Sequence, residues 1–135
     1  MIRIIFGIFI IFHGLVHLLY FGQSAKFFEL QPGMVWPSGS WAFSRLFSDG
    51  TTRILANISL VLTAIGFAVG GLALLFKQAW FQPVVAGAAI LSILTYILFW
   101  NGKMLNLDNQ GGVGILIDMA ILGSVFVLLK SYLKI

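Results

Sequence analysis

Residues 4–22 read IIFGIFIIFHGLVHLLYFG, and the fold turns on this stretch. It matches the ~20 apolar residues a helix needs to cross ~30 Å of hydrocarbon. Two titratable side chains interrupt it, His13 and His17. They stand four positions apart, so on a helix they share one face. An ionisable group at membrane depth costs free energy, which marks these histidines as candidate functional residues.

The rest of the chain agrees with that reading. Of its 135 residues, 60% are hydrophobic and 9% charged. Soluble domains carry about 25% charged residues, so this chain lacks the polar surface to stay in water. The net charge of +4 comes from basic residues scattered singly. That spacing excludes a nucleic-acid patch. Cysteine is absent, which excludes a disulfide framework, a CxxC redox centre and thiolate metal sites. Arg3 before the apolar run imitates a signal peptide. The run exceeds the usual core of about 7–15 residues, and Tyr20–Ala25 offers no small-x-small cleavage pattern. A retained anchor is expected.

Three further stretches can span: about 53–76, 83–100 and 113–133. Unbroken apolar runs exclude the alternation of a membrane barrel. The predicted fold is therefore all-α, a polytopic membrane four-helix bundle in one domain. The long connection, residues 23–50, holds Pro32-Gly33 and Pro37-Ser38-Gly39 turns and a run of aromatics. Ser40 can cap a short helix over 41–47, with Phe43 and Phe47 on one face. This aromatic loop should be partly helical and lie over the outer mouth of the bundle. Pro83 suits the first turn of helix 3.

Flanking charge gives orientation. Arg3, Lys77, Lys130 and Lys134 lie on the side of the termini, without acids. The other side also carries four bases, Lys26, Arg45, Arg53 and Lys103, with Glu29, Asp49 and Asp108, but acids weigh little and the long first loop counts for less than the short ones. Both termini are expected in the cytoplasm, most simply of a prokaryotic plasma membrane. Trp80 and Tyr132 would mark the inner interface, Tyr20 and Trp100 the outer one. Small residues suggest where helices touch: Gly7 and Gly14, Gly66 and Gly70, and Ala86, Ala89 and Ser92.

Counting inward from the outer helix ends puts His17, Asn57, Tyr96 and Asp118 at one level, about 6–8 Å deep. His13 sits one turn deeper. These five are expected to line a polar pocket under residues 36–47, with Arg53, Trp36, Trp41 and Trp100 at its mouth. Asp118 is the only acid within a span, so it should pair with a histidine. His17–Asp118 is the expected pair, the aspartate fixing the imidazole tautomer. Such a pair can also serve only to join helices 1 and 4. His13, His17 and Asp118 are three plausible ligands for zinc or iron, though the HExxH glutamate is missing. Bis-histidine haem is excluded, because one helix face cannot present ligands to both sides of a porphyrin. Gly111-Gly112-Val113-Gly114 lacks the context of a phosphate loop. Arg53 can meet an anionic head group or snorkel.

Helix 1, with Arg3, Gly7 and Phe12-His13-Gly14-Leu15-Val16-His17, resembles the opening helix of the DoxX-like small four-helix membrane proteins. That resemblance implies a compact bundle. It also implies accessory roles in respiratory or redox systems for some members, although this chain lacks the cysteine pairs of redox-active relatives.

The expected function is binding of a small lipophilic ligand such as a quinone, or service as an accessory subunit of a membrane redox complex. A purely structural subunit, or an oligomeric proton or small-solute transporter, is the alternative. The partners expected are the lipid bilayer, further copies of the chain or a larger membrane complex, and no nucleic acid.

Overall fold

A side-chain cap sets where the second helix begins. Ser48 is extended, and its Oγ accepts from Thr51 N at 3.2 Å. A serine so placed satisfies a helix-start donor. The second helix therefore opens at Asp49, one turn before the predicted Arg53. In the computed structural model, which describes residues 2–104 and 108–128, the helices are α1 (Ile2–Ser24), α2 (Asp49–Leu75), α3 (Phe81–Phe99) and α4 (Val113–Gly123). An irregular turn, Asp108–Gly112, leads into α4, and a wider π turn, Ser124–Leu128, continues it. No strand occurs among the described residues.

Three helices, α1, α2 and α3, are long and apolar enough to cross a membrane. The fourth predicted span, 113–133, is described only in part. Its described apolar helix covers Gln110–Phe126 and is shorter. The rest of that span, with Lys130 and Tyr132, and Lys134 after it lie outside the described residues.

Neighbours in sequence pack as neighbours in space: α1 on α2, α2 on α3, α3 on α4. The backbones of α1 and α4 do not come together. The small-residue stripes divide between two interfaces. A Cβ on Gly14 would stand 2.7 Å from Phe67 Cβ, and one on Gly71 only 2.9 Å from Gly7 O. Hence α1 and α2 approach backbone to backbone, the way small residues permit in lipid. Gly66 and Gly70 face Ala88 and Val85 of α3 instead.

Both α1 and α2 end in the same way. Lys26 (φ 66°) and Lys77 (φ 58°) take the left-handed conformation just past each helix. Phe27 N reaches Gly22 O and Gln78 N reaches Ala73 O, each at 2.8 Å. This is the Schellman arrangement, with lysine where glycine is usual. At the same end of the molecule as Lys77, the Arg3 guanidinium donates to the terminal carbonyls of α2, Leu74 and Leu75. It thereby answers the negative end of the helix dipole.

Residues 25–48 fold back on the opposite end of the helices. Trp36 is fully buried against Tyr20 and Tyr96. Gln23 holds the chain on both sides, donating to Met34 O at 2.9 Å and accepting from Leu30 N at 2.8 Å. The predicted helix over 41–47 is not formed. Ser44 N to Ser40 O and Phe47 N to Phe43 O are separate turns. The competing partners explain this. Trp41 N bonds Trp100 O at 2.9 Å, Trp41 Nε1 bonds Ile97 O at 2.6 Å, and Ser40 Oγ bonds Leu98 O at 2.5 Å. These groups satisfy the open carbonyls at the end of α3. Ser40 Oγ still accepts from Phe43 N at 3.2 Å, and the Phe43 and Phe47 rings lie 5.8 Å apart.

Two apolar clusters result. One gathers Ile10, Phe67, Val85 and Ile121, the other Trp36, Leu60, Tyr96 and Phe99. The histidines of α1 sit where the two meet, since His17 touches both Phe67 and Tyr96.

Candidate functional site

The site is a ring of polar side chains inside an apolar bundle. His13 and His17 project from one face of α1, and both are buried. Their rings meet edge to face, with centroids 5.1 Å apart. Phe67 of α2 lies against both. Tyr96 of α3 stacks on His17 at 5.6 Å. Ser92, one turn before Tyr96, and Asp118 of α4 are completely buried.

Hydrogen bonds fix the roles of the ring nitrogens. His17 Nδ1 lies 3.0 Å from His13 O. A carbonyl only accepts, so Nδ1 carries the hydrogen. In the neutral ring Nε2 then holds the lone pair and accepts from Ser92 Oγ at 2.7 Å. His13 Nε2 donates to Asp118 Oδ1, also at 2.7 Å. The Ser92 hydroxyl also lies beside the Asp118 carboxylate, but Asp118 Oδ2 is buried and makes no well-formed hydrogen bond among the described residues. An unpaired carboxylate oxygen in such surroundings is costly and needs an explanation.

The expected pair was His17–Asp118; the pair formed is His13–Asp118. The level count fails at α4. It placed Val113 at the same surface as Gly22 and Trp100. Instead the preceding turn dips into the bundle, with the Gln110 side chain buried and its Oε1 accepting from Asn101 N at 3.0 Å. Gly111, at φ 104°, lays its backbone on the Tyr96 ring, where no Cβ would fit. So α4 starts level with Tyr96, and Asp118 lies one turn deeper, opposite His13.

The other predicted residues take different places. Tyr96 belongs to the cluster. Asn57 is half-buried, its Oδ1 is without a partner, and no bond joins it to the histidines among the described residues. Arg53 binds this protein's own loop: Nη1 to Ser24 O at 2.8 Å, Nη2 to Val35 O at 2.9 Å and Ser38 Oγ at 2.8 Å, and Nε to Asp49 at 3.2 Å. It is a clamp. Trp36 is a plug rather than a mouth, because its ring occupies the space above Tyr96. Trp41 stays half-exposed on the end of α3, and Trp100 Nε1 donates to Lys103 O at 3.0 Å. A cavity of about 330 Å³ opens beside the loop at Lys26, Glu29, Met34 and Arg53, and neither histidine lines it.

Sequence reasoning missed Ser92 and Phe67 as site residues. Ser92 was legible as a small residue of α3, and its position one turn from Tyr96 was the available sign. Phe67 carried none, since thirteen phenylalanines share this sequence.

No family model matches the chain, and neither a curated protein nor a solved structure does.

Proposed function

We propose that this chain is an integral membrane protein that binds a small lipophilic, hydrogen-bonding ligand, such as a quinone, against the His13–His17–Asp118 cluster. The observation that carries this reading is the buried Asp118, with Oδ1 on His13 and Oδ2 unpartnered. A hydroxyl or protonated oxygen of a ligand would supply the missing donor. The His13–Asp118 pair would hold or release its proton. Trp36 closes the approach from the loop, so the ligand enters sideways between α1 and α4, whose backbones stand apart. Phe9, stacked on His13 and 45% exposed, flanks that approach.

Arg3 and Lys77 share one end of the molecule and favour both termini in the cytoplasm, for which a bacterial or archaeal plasma membrane is the simplest setting. The DoxX-like resemblance of helix 1 supports an accessory redox role within a larger complex or homo-oligomer. A second reading takes the His13–Asp118 bond as a strut joining α1 to α4, which makes the protein a structural subunit.

The test is titration of a short-tailed quinone into the protein in nanodiscs, followed by quenching of Trp36 and neighbouring tryptophans. Saturable micromolar binding, weakened at least tenfold in His13→Ala and Asp118→Ala, is the expected result. Equal binding in the wild type and in both folded variants would leave only the strut.

A further inference from the structure

The strongest unassigned chemistry in the molecule is the set of three ligand atoms on His13, His17 and Asp118, all within 4.8 Å of one another and buried. We propose that this cluster holds one divalent first-row transition metal ion, bound by the two imidazoles and the carboxylate. The proposal rests on reading the cluster as a ligand site, and it names a resident of that site.

Three independent features favour it. The donor set, two nitrogens and one carboxylate oxygen, suits zinc or iron(II) and leaves positions open. His17 is already oriented as metal-bound histidines are: its Nδ1 donates to a backbone carbonyl, which turns the Nε2 lone pair inward. Asp118 Oδ2 is buried and makes no well-formed hydrogen bond among the described residues, so the carboxylate keeps a lone pair free for a cation. In the structure Ser92 Oγ meets the His17 Nε2 lone pair and the His13 Nε2 proton meets the carboxylate.

Ligand atoms on a tetrahedral ion stand about 3.4 Å apart at bond lengths near 2.1 Å. The present spread of up to 4.8 Å therefore closes by side-chain rotation of roughly an ångström. On metal binding, the His13 proton shifts from Nε2 to Nδ1 by tautomer exchange, leaving a neutral ligand ring, and Ser92 releases His17. The charge of the ion is half balanced by Asp118, and an oxygen of the lipophilic ligand would fill an open position.

The experiment uses cobalt(II) as the probe, on full-length protein in detergent, stripped with a chelator and freed of any histidine tag. The expected result is one cobalt per chain, visible d–d absorption of a four- or five-coordinate site, and competition by zinc. His17→Ala and Asp118→Asn should each weaken binding at least a hundredfold. If those variants do not fold, the wild-type stoichiometry and spectrum decide alone. A wild type that takes up no cobalt at 1 mM, or folded variants that bind as the wild type does, would overturn the metal. Quinone binding without cobalt binding would reject the metal and keep the proposed function. Cobalt binding without quinone binding would do the reverse.

Discussion

His13 Nε2 and Asp118 Oδ1 lie 2.7 Å apart and form the one side-chain hydrogen bond between α1 and α4 among the described residues. Both partners are buried away from water, so removing one leaves the other worse off than removing both. His13→Leu should destabilise the fold by about 3 kcal/mol by stranding a buried acid. Adding Asp118→Leu should restore part of that loss. A double-mutant cycle, read by thermal unfolding in detergent, is expected to show coupling of about 1–2 kcal/mol. Strict additivity of the two substitutions would mean the pair contributes nothing jointly.

The clamp at Arg53 joins three parts of the chain: the end of α1, the loop and the start of α2. Arg53→Ala is expected to release residues 25–48 to protease at Gly33 while leaving helical circular dichroism nearly unchanged. Arg53→Lys should behave almost as badly, since an ammonium cannot reproduce the planar fork. Full protection of the loop in both variants would contradict the clamp.

Close approach makes Gly71 intolerant. A methyl there would meet Ile11 Cγ1 at 2.6 Å and Gly7 O at 2.9 Å. Gly71→Ala should cost about 1–3 kcal/mol, and Gly71→Val more, as α1 is forced outward. Gly87, where a Cβ meets nothing within 4 Å, is the matched control and should accept alanine freely. The comparison of their melting temperatures checks this.

Lysine in the left-handed conformation carries strain that glycine lacks. Lys77→Gly is therefore expected to raise stability by about 1 kcal/mol, because the Gln78 to Ala73 bond that ends α2 is kept. A fall in melting temperature would show that the lysine side chain makes a compensating contribution.

Hydropathy made the helical fold readable, since apolar runs of bilayer length have few other solutions. Spacing likewise brought His13 and His17 to one face. What it could not reveal was relative height. The depth of Asp118 depends on Gln110 and Gly111 turning inward against Tyr96, and that is a tertiary contact with no local signature. One helical turn of error exchanged the histidine partners. The loop misled for a similar reason: Ser40 has the sequence of a cap, yet it also serves the end of α3.

Because Arg3 grips the last carbonyls of α2 and Arg53 grips the last carbonyl of α1, the first two helices form a hairpin fastened at both ends. Such a unit can enter the bilayer and settle while the remainder of the polypeptide is still being made. Asp118 emerges far later, so during biogenesis the two imidazoles wait without their carboxylate. A nascent chain halted before α4 would keep the Ser92 bond of His17 and lack the carboxylate that His13 meets.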